Sequence, residues 1–205
     1  MNAYKTVAGE TESVSVIERS KFICLVKGIE NETEVKEFIA AARKKYPLAT
    51  HYCYAYIADE DGLNQKFSDD GEPHGTAGQP MLNALKSRGV SKTVAVVVRY
   101  FGGVKLGTGG LTRAYGGAVN AALDTADIRT LYTVEFYKFT LSYAQYRKFS
   151  GLSGDFAVNG VEYGDGVMVK VAVKKEKAET FLKKASDAFG GEYKAEKLGT
   201  GYFAF

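Results

Sequence analysis

Thr93-Val94-Ala95-Val96-Val97-Val98-Arg99-Tyr100-Phe101-Gly102-Gly103-Val104-Lys105-Leu106-Gly107-Thr108-Gly109-Gly110-Leu111-Thr112-Arg113-Ala114-Tyr115-Gly116 decides how this chain is read. Thr93 to Val98 is a plain apolar strand. A small-residue helix follows from Leu111 to about Ala126. Between them stand five glycines from Gly102 to Gly110, more than a strand-to-helix turn requires. A bare loop entering a helix presents unpaired N–H groups and a positive dipole end, which suits an anion. Arg99, Gly102, Gly103, Lys105, Gly107, Thr108, Gly109, Gly110, Thr112 and Arg113 therefore form a candidate polyanion site. The bland alternative is a tight connection packed on another loop.

The spacing excludes two familiar phosphate loops. Gly102 and Gly107 have four residues between them, but Thr108 stands where a Walker lysine belongs. Gly107-Thr108-Gly109-Gly110-Leu111-Thr112 offers G-x-G without the third glycine of a dinucleotide fingerprint.

Upstream, Val14 to Ile17 and Lys21 to Val26 read as strands joined at Glu18-Arg19-Ser20. Asn31 and Glu34 have capping-box spacing, and Val35, Phe38, Ile39 and Ala42 form a helical stripe ended by Pro47. His51 to Ala58 alternates as a strand, with Tyr52, Tyr54 and Tyr56 on one face. These tyrosines could stack on bases, although packing on a half-buried sheet explains them as well. Leu63 to Phe67 reads as a partner strand, and Pro80 to Arg88 as a helix stopped by Gly89.

The irregular segment between them carries Asp69, Asp70, Glu72 and His74, which could ligate a metal or simply form a solvated turn. Gly75, Thr76 and Gly78 then lead into a second glycine-rich helix start, with Thr76 or Gly78 as the cap. Two such starts could build one shared concave site. His51 with Cys53 is a weak nucleophile–base pair. The chain holds no G-x-S-x-G, H-E-x-x-H or C-x-x-C.

From Leu131 the texture changes. Thr133 to Tyr143 is a strand and Ala144 to Gly151 a short helix. Phe156 to Tyr163 and Val167 to Lys174 are strands, Ala178 to Phe189 a helix, and Glu192 to Phe205 a strand. This βαββαβ order is the ferredoxin-like pattern. Two domains are expected, 1–130 and 131–205, with the boundary near Asp127 to Leu131.

Bulk numbers add bounds. Net charge is +3. The first domain has 16 Lys/Arg against 15 Asp/Glu and the second 11 against 9, so polyanion binding needs local clustering. No apolar run approaches the roughly 20 residues of a membrane helix. Met1 to Glu12 does not read as a secretory signal. Cys24 and Cys53 read as buried free thiols. These features point to the cytoplasm and away from a membrane.

Together these motifs resemble the IMPACT/YigZ family. Arg99 through Gly103, Gly109 through Tyr115, Ser20-Lys21-Phe22-Ile23, His51, and Asp69 through Pro80 carry the likeness, which is strong over residues 15 to 125. The remainder resembles the C-terminal domain of bacterial YigZ proteins, itself similar to the last domain of elongation factor G. The resemblance implies an α+β protein: a two-layer N-terminal domain of the ribosomal-protein or elongation-factor-G domain IV type, then a ferredoxin-like domain. The family's eukaryotic member modulates translational control through protein contacts. Its extra N-terminal partner-binding domain has no counterpart here, so its regulatory partner is not implied.

The leading expectation is a non-enzymatic, translation-linked protein without metal or cofactor. It would contact RNA, the ribosome or a ribosome-associated protein through the glycine segment. The enzymatic alternative is a phosphate-handling hydrolase or small-molecule kinase, with Asp69, Asp70 or Glu72 on Mg²⁺. A third reading is a pure protein-interaction module.

Overall fold

The computed structural model describes residues 2–152, 154 and 156–205. The chain divides into two compact units, Tyr4–Arg129 and Thr130–Phe205, the latter taking in the first residues of the chain.

Strand β1 (Ala3–Val7) leads into the first unit, where Tyr4 and Val7 are buried. This strand was not foreseen from the sequence. The unit then runs β2 (Glu10–Ile17), β3 (Ser20–Gly28), α1 (Glu32–Lys45), β4 (His51–Ile57), β5 (Gln65–Ser68), α2 (Gly78–Ser87), β6 (Thr93–Tyr100) and α3 (Gly107–Thr125). Its sheet has the order β2-β3-β6-β4-β5, and every neighbouring pair is antiparallel.

The expected two-layer arrangement is corrected here, because helices cover both faces of the sheet. Phe22, Cys24, Cys53, Ala55 and Val97 pack against Met81 and Leu85 of α2 and Leu111, Tyr115 and Val119 of α3. Ile23, Leu25, Tyr52, Val96 and Val98 pack on the other side against Val35, Phe38 and Ala42 of α1. A strand buried on both faces reads as an unbroken apolar run, and Val94 to Val98 of β6 are all fully buried. The tyrosines of β4 belong to this packing: Tyr52 and Tyr56 are buried on the α1 side.

Local signals set most boundaries. Asn31 accepts from the amides of Thr33 and Glu34 and caps α1. Glu18 and Arg19, at φ +45° and +65°, form the two-residue turn between the paired residues Ile17 and Ser20.

The second unit contains β7 (Ile128–Leu141), α4 (Tyr143–Phe149), β8 (Phe156–Tyr163), β9 (Val167–Lys174), α5 (Ala178–Phe189) and β10 (Lys194–Ala204). Its sheet has five strands: β7 pairs with β1, β9 and β10, and β9 pairs with β8, with the β10–β7, β7–β9 and β9–β8 pairs antiparallel. Tyr137, Phe139 and Leu141 of β7 and the odd-numbered valines of β9 pack with Phe149 of α4 and Phe181, Ala185 and Phe189 of α5. Ser142 and Gln145 close a reciprocal capping box at α4. The molecule is thus mixed α and β throughout. No helix among the described residues is long and apolar enough to cross a membrane.

Candidate functional site

The β6–α3 connection is shorter than its glycines suggest. Helix α3 begins at Gly107, not Leu111, so Gly107 to Gly110 form its first turn. Only Phe101 to Leu106 remain as loop. Gly103 and Gly107 take φ of +85° and +69°, which a side chain would resist. Gly102 is needed for a different reason: a Cβ there would lie 2.1 Å from the Arg19 carbonyl carbon. The loop therefore presses on the β2–β3 turn. The Gly102 amide donates to Ser20 Oγ (3.2 Å) and the Phe101 amide to Thr50 Oγ1 (3.1 Å).

The first turn of α3 remains open. Leu106 supplies no side-chain cap, and Thr108 and Gly109 are exposed. The leading N–H groups of a helix have no partner within it. Lys105 and Arg113 are exposed and make no ion pair among the described residues. Thr112 turns inward along the helix, its hydroxyl donating to the Thr108 carbonyl (3.0 Å).

Arg99 takes a different role from the one its sequence position suggests. It is 4% exposed, and its Nη1 donates to Glu72 Oε1 at 2.6 Å. Its Nη2 donates to Ser20 Oγ at 3.2 Å, and Phe22 and Phe101 lie against the guanidinium. Arg99 braces the loop and is not available to a phosphate. The Tyr115 hydroxyl, from the buried face of α3, donates to the same Glu72 oxygen at 2.6 Å. Burial first, then Cys53 and Glu72, holds that phenol well above its ordinary pKa. His51 Nε2 stands 3.8 Å from Glu72 Oε1, while its Nδ1 meets the Asp70 carbonyl at 2.8 Å.

Glu72, from the acidic loop, meets Arg99, Tyr115 and Ser20 in a buried cluster, and the half-buried His51 borders it. Ser20 and Tyr115 carry the family likeness in the sequence but are not among its candidate site residues. The available signal was a tyrosine in the stripe Leu111, Ala114, Tyr115, Ala118, whose buried hydroxyl needs a partner.

The carboxylates of the acidic loop are held by protein donors. Asp69 Oδ1 accepts from the amides of Ala77 and Gly78, and Oδ2 from that of Gly75, so it caps α2 from upstream. Thr76 is not the cap; its hydroxyl donates to the Pro73 carbonyl. Burial opposes charge on Asp69, but the amides of Gly75, Gly78 and Ala77 outweigh it and hold the carboxyl below its ordinary range. Asp70 accepts from the Tyr52 amide and pairs with Arg43. Glu72 faces Arg99, and His74 projects outward at 99% side-chain exposure. No three His, Cys, Asp or Glu side chains gather for a metal among the described residues. The Mg²⁺ ligand set of the enzymatic alternative is therefore engaged with protein donors. Cys53, the other half of the weak pair with His51, donates to the Asp69 carbonyl, and burial pushes its thiol up to about 12.

Comparison with known proteins places this geometry. The Impact N-terminal domain matches residues 18–123, which include the buried cluster, the capped acidic loop and nearly all of α3. The chain belongs to the IMPACT family. It is 36% identical over 194 residues to the IMPACT family member YvyE of Bacillus subtilis, covering 94% of this chain and 89% of that one. It is 37% identical over 191 residues to the IMPACT family member YigZ of Escherichia coli, covering 91% and 94%. A crystal structure of a hypothetical protein, 36% identical, covers 95% of this chain and 97% of its own at a TM-score of 0.65.

Proposed function

We propose that this chain is a translation-linked regulatory binding protein of the cytoplasm, which meets RNA or a ribosome-associated surface through the N-terminus of α3. One observation carries the reading: Lys105 and Arg113, exposed and without ion pairs among the described residues, flank a helix start whose amides have no side-chain cap. A phosphate seated there would gain two cations, the helix dipole and several N–H donors. Gly102, Gly103, Gly107, Thr108, Gly109 and Gly110 shape and expose this surface, while Arg99 and Glu72 hold it from beneath.

The finer fold assignments belong to the same proposal. The strand order β10-β7-β9-β8, with α4 and α5 on one face, supports a ferredoxin-like second domain. The first unit is read as the elongation-factor-G domain IV type on the family resemblance, with α1 added on its second face. The domain boundary is placed near residue 130.

The test is a filter-binding titration of the full chain with ribosomal RNA across a salt series. The double substitution Lys105→Ala, Arg113→Ala is expected to weaken retention and reduce the salt slope by about 1.5. An unchanged affinity and slope would refute the reading.

A further inference from the structure

We infer that the face of the C-terminal sheet turned away from α4 and α5 is a stacking platform for a single-stranded polynucleotide. The site lies on the second unit and goes beyond the proposal for α3. Strand alternation defines the face. Tyr137, Phe139 and Leu141 point into the core with the odd-numbered valines of β9. Phe136 and Lys138 of β7 and Lys170 and Lys174 of β9 therefore point to the opposite side. The register brings β10 onto the same side, with Gly199 opposite Phe136 and Phe203 opposite Tyr132.

The result is a continuous aromatic row. Ring centroids of Phe136 and Phe203 are 6.4 Å apart, those of Phe203 and Phe205 are 5.5 Å apart, and those of Phe205 and Tyr132 are 5.9 Å apart. Phe136 and Phe203 are only half-buried, and Phe205 is exposed. Glycine keeps the row clear: a Cβ on Gly201 would lie 3.0 Å from Phe136 Cε2. A cavity of about 250 Å³ opens beside Phe136, Lys170 and Gly199.

Cations accompany the rings. The Lys174 ammonium lies 4.5 Å from the Tyr132 ring centroid and 5.2 Å from that of Phe205. Lys170 and Lys138 continue the line, paired with Glu162 at 2.9 Å and Glu196 at 2.5 Å. Exposed pairs of this kind contribute little and exchange readily for a phosphate. Aromatic faces for bases, with lysines spaced for a backbone, are the recurring elements of single-strand recognition on an open sheet. An apolar peptide would match the rings but offer no anion to the lysines beside them.

The test uses the full chain and fluorescence anisotropy with a labelled single-stranded RNA of about 12 nucleotides, a size within the range of such sites. The DNA of the same sequence and a blunt duplex serve as comparison arms. Single strands are expected to bind more tightly than duplex. A preference for either sugar identifies the source and leaves the platform standing. The pair Phe136→Leu, Phe203→Leu keeps apolar volume but removes the flat rings, and should weaken binding about five-fold or more. Lys170→Gln with Lys174→Gln should lower the salt slope by about 1.4. Ultraviolet cross-linking of the unaltered protein covers the case in which the leucine pair fails to fold, and should map contacts to β7 and β10. The inference fails if the variants bind as the parent does, or if cross-links fall only outside these strands. The α3 proposal is separable: Lys105→Ala, Arg113→Ala should leave the aromatic dependence intact.

Discussion

Glu72 Oε1 lies 2.6 Å from Arg99 Nη1, and both side chains are almost wholly buried. The pair ties the acidic loop to the end of β6, and the Tyr115 hydroxyl adds α3 to the same oxygen. Three segments distant in sequence thus meet at one carboxylate. Removing one member of a buried ion pair leaves an uncompensated charge and costs roughly 3–5 kcal/mol. Glu72→Gln is expected to destabilise the chain by about that much in urea unfolding. Tyr115→Phe removes one hydrogen bond and should cost less, about 1–3 kcal/mol. Equal stability of Glu72→Gln and the parent would show that the pair does not organise the loop.

The glycines of the α3 connection should separate into two classes. Gly102→Ala would drive a Cβ into the Arg19 backbone, so a loss of about 3 kcal/mol is expected as the loop shifts. At Gly109 an added Cβ meets nothing nearer than Arg113 Nη1 at 3.5 Å. Gly109→Ala should leave stability equal or raise it by up to about 1 kcal/mol. On the proposed role of α3, its methyl would also crowd the open amides and lower RNA retention in the filter assay. Thermal unfolding beside filter binding checks both halves of this prediction.

Asp69 gives a pH dependence of defined sign. Its native carboxyl titrates below its ordinary value, near 3.9 in an unfolded chain. The stability it contributes is complete above that value and is lost as pH falls through the lower native one. Asp69→Ala should therefore cost about 0.5–2 kcal/mol near neutrality. The gap between variant and parent should close as the solution is taken well below about pH 4. Urea unfolding across this range provides the measurement, and a gap that widens with acid would contradict the capping role.

Both thiols should be silent in the native protein. Cys24 and Cys53 are buried, and burial raises both thiols, that of Cys53 up to about 12. No fast reaction with a disulfide reagent is expected at about pH 8, because the thiolate is the reacting form. Denaturant should release two equivalents. A native Cys53 that reacts quickly would show that the His51 side of the cluster opens to solvent.

Much of the architecture was legible in the order of residues, because local rules wrote it. Strands β8 and β9 and helix α5 have the bounds that alternation and the Phe181, Leu182, Ala185 stripe predict. The Asn31 cap and the buried thiols follow likewise from nearest-neighbour chemistry. The start of α3 was placed too late because glycine lowers helix propensity. Packing of Leu111 and Tyr115 on β3 overrides that preference. The second helical layer was missed because α1's stripe says that it is covered, but not by which face of the sheet.

The amino-acid sequence by itself determined the two-part organisation, the apolar β6 strand, the glycine-rich path into α3 and the family motifs. Only the tertiary structure decided the roles of the charges along that path. Arg99, Lys105 and Arg113 are alike as cations in a sequence, yet a carboxylate 27 residues upstream claims the first and leaves the other two exposed. The pairing of distant side chains depends on which strand ends meet, and composition and spacing do not encode that.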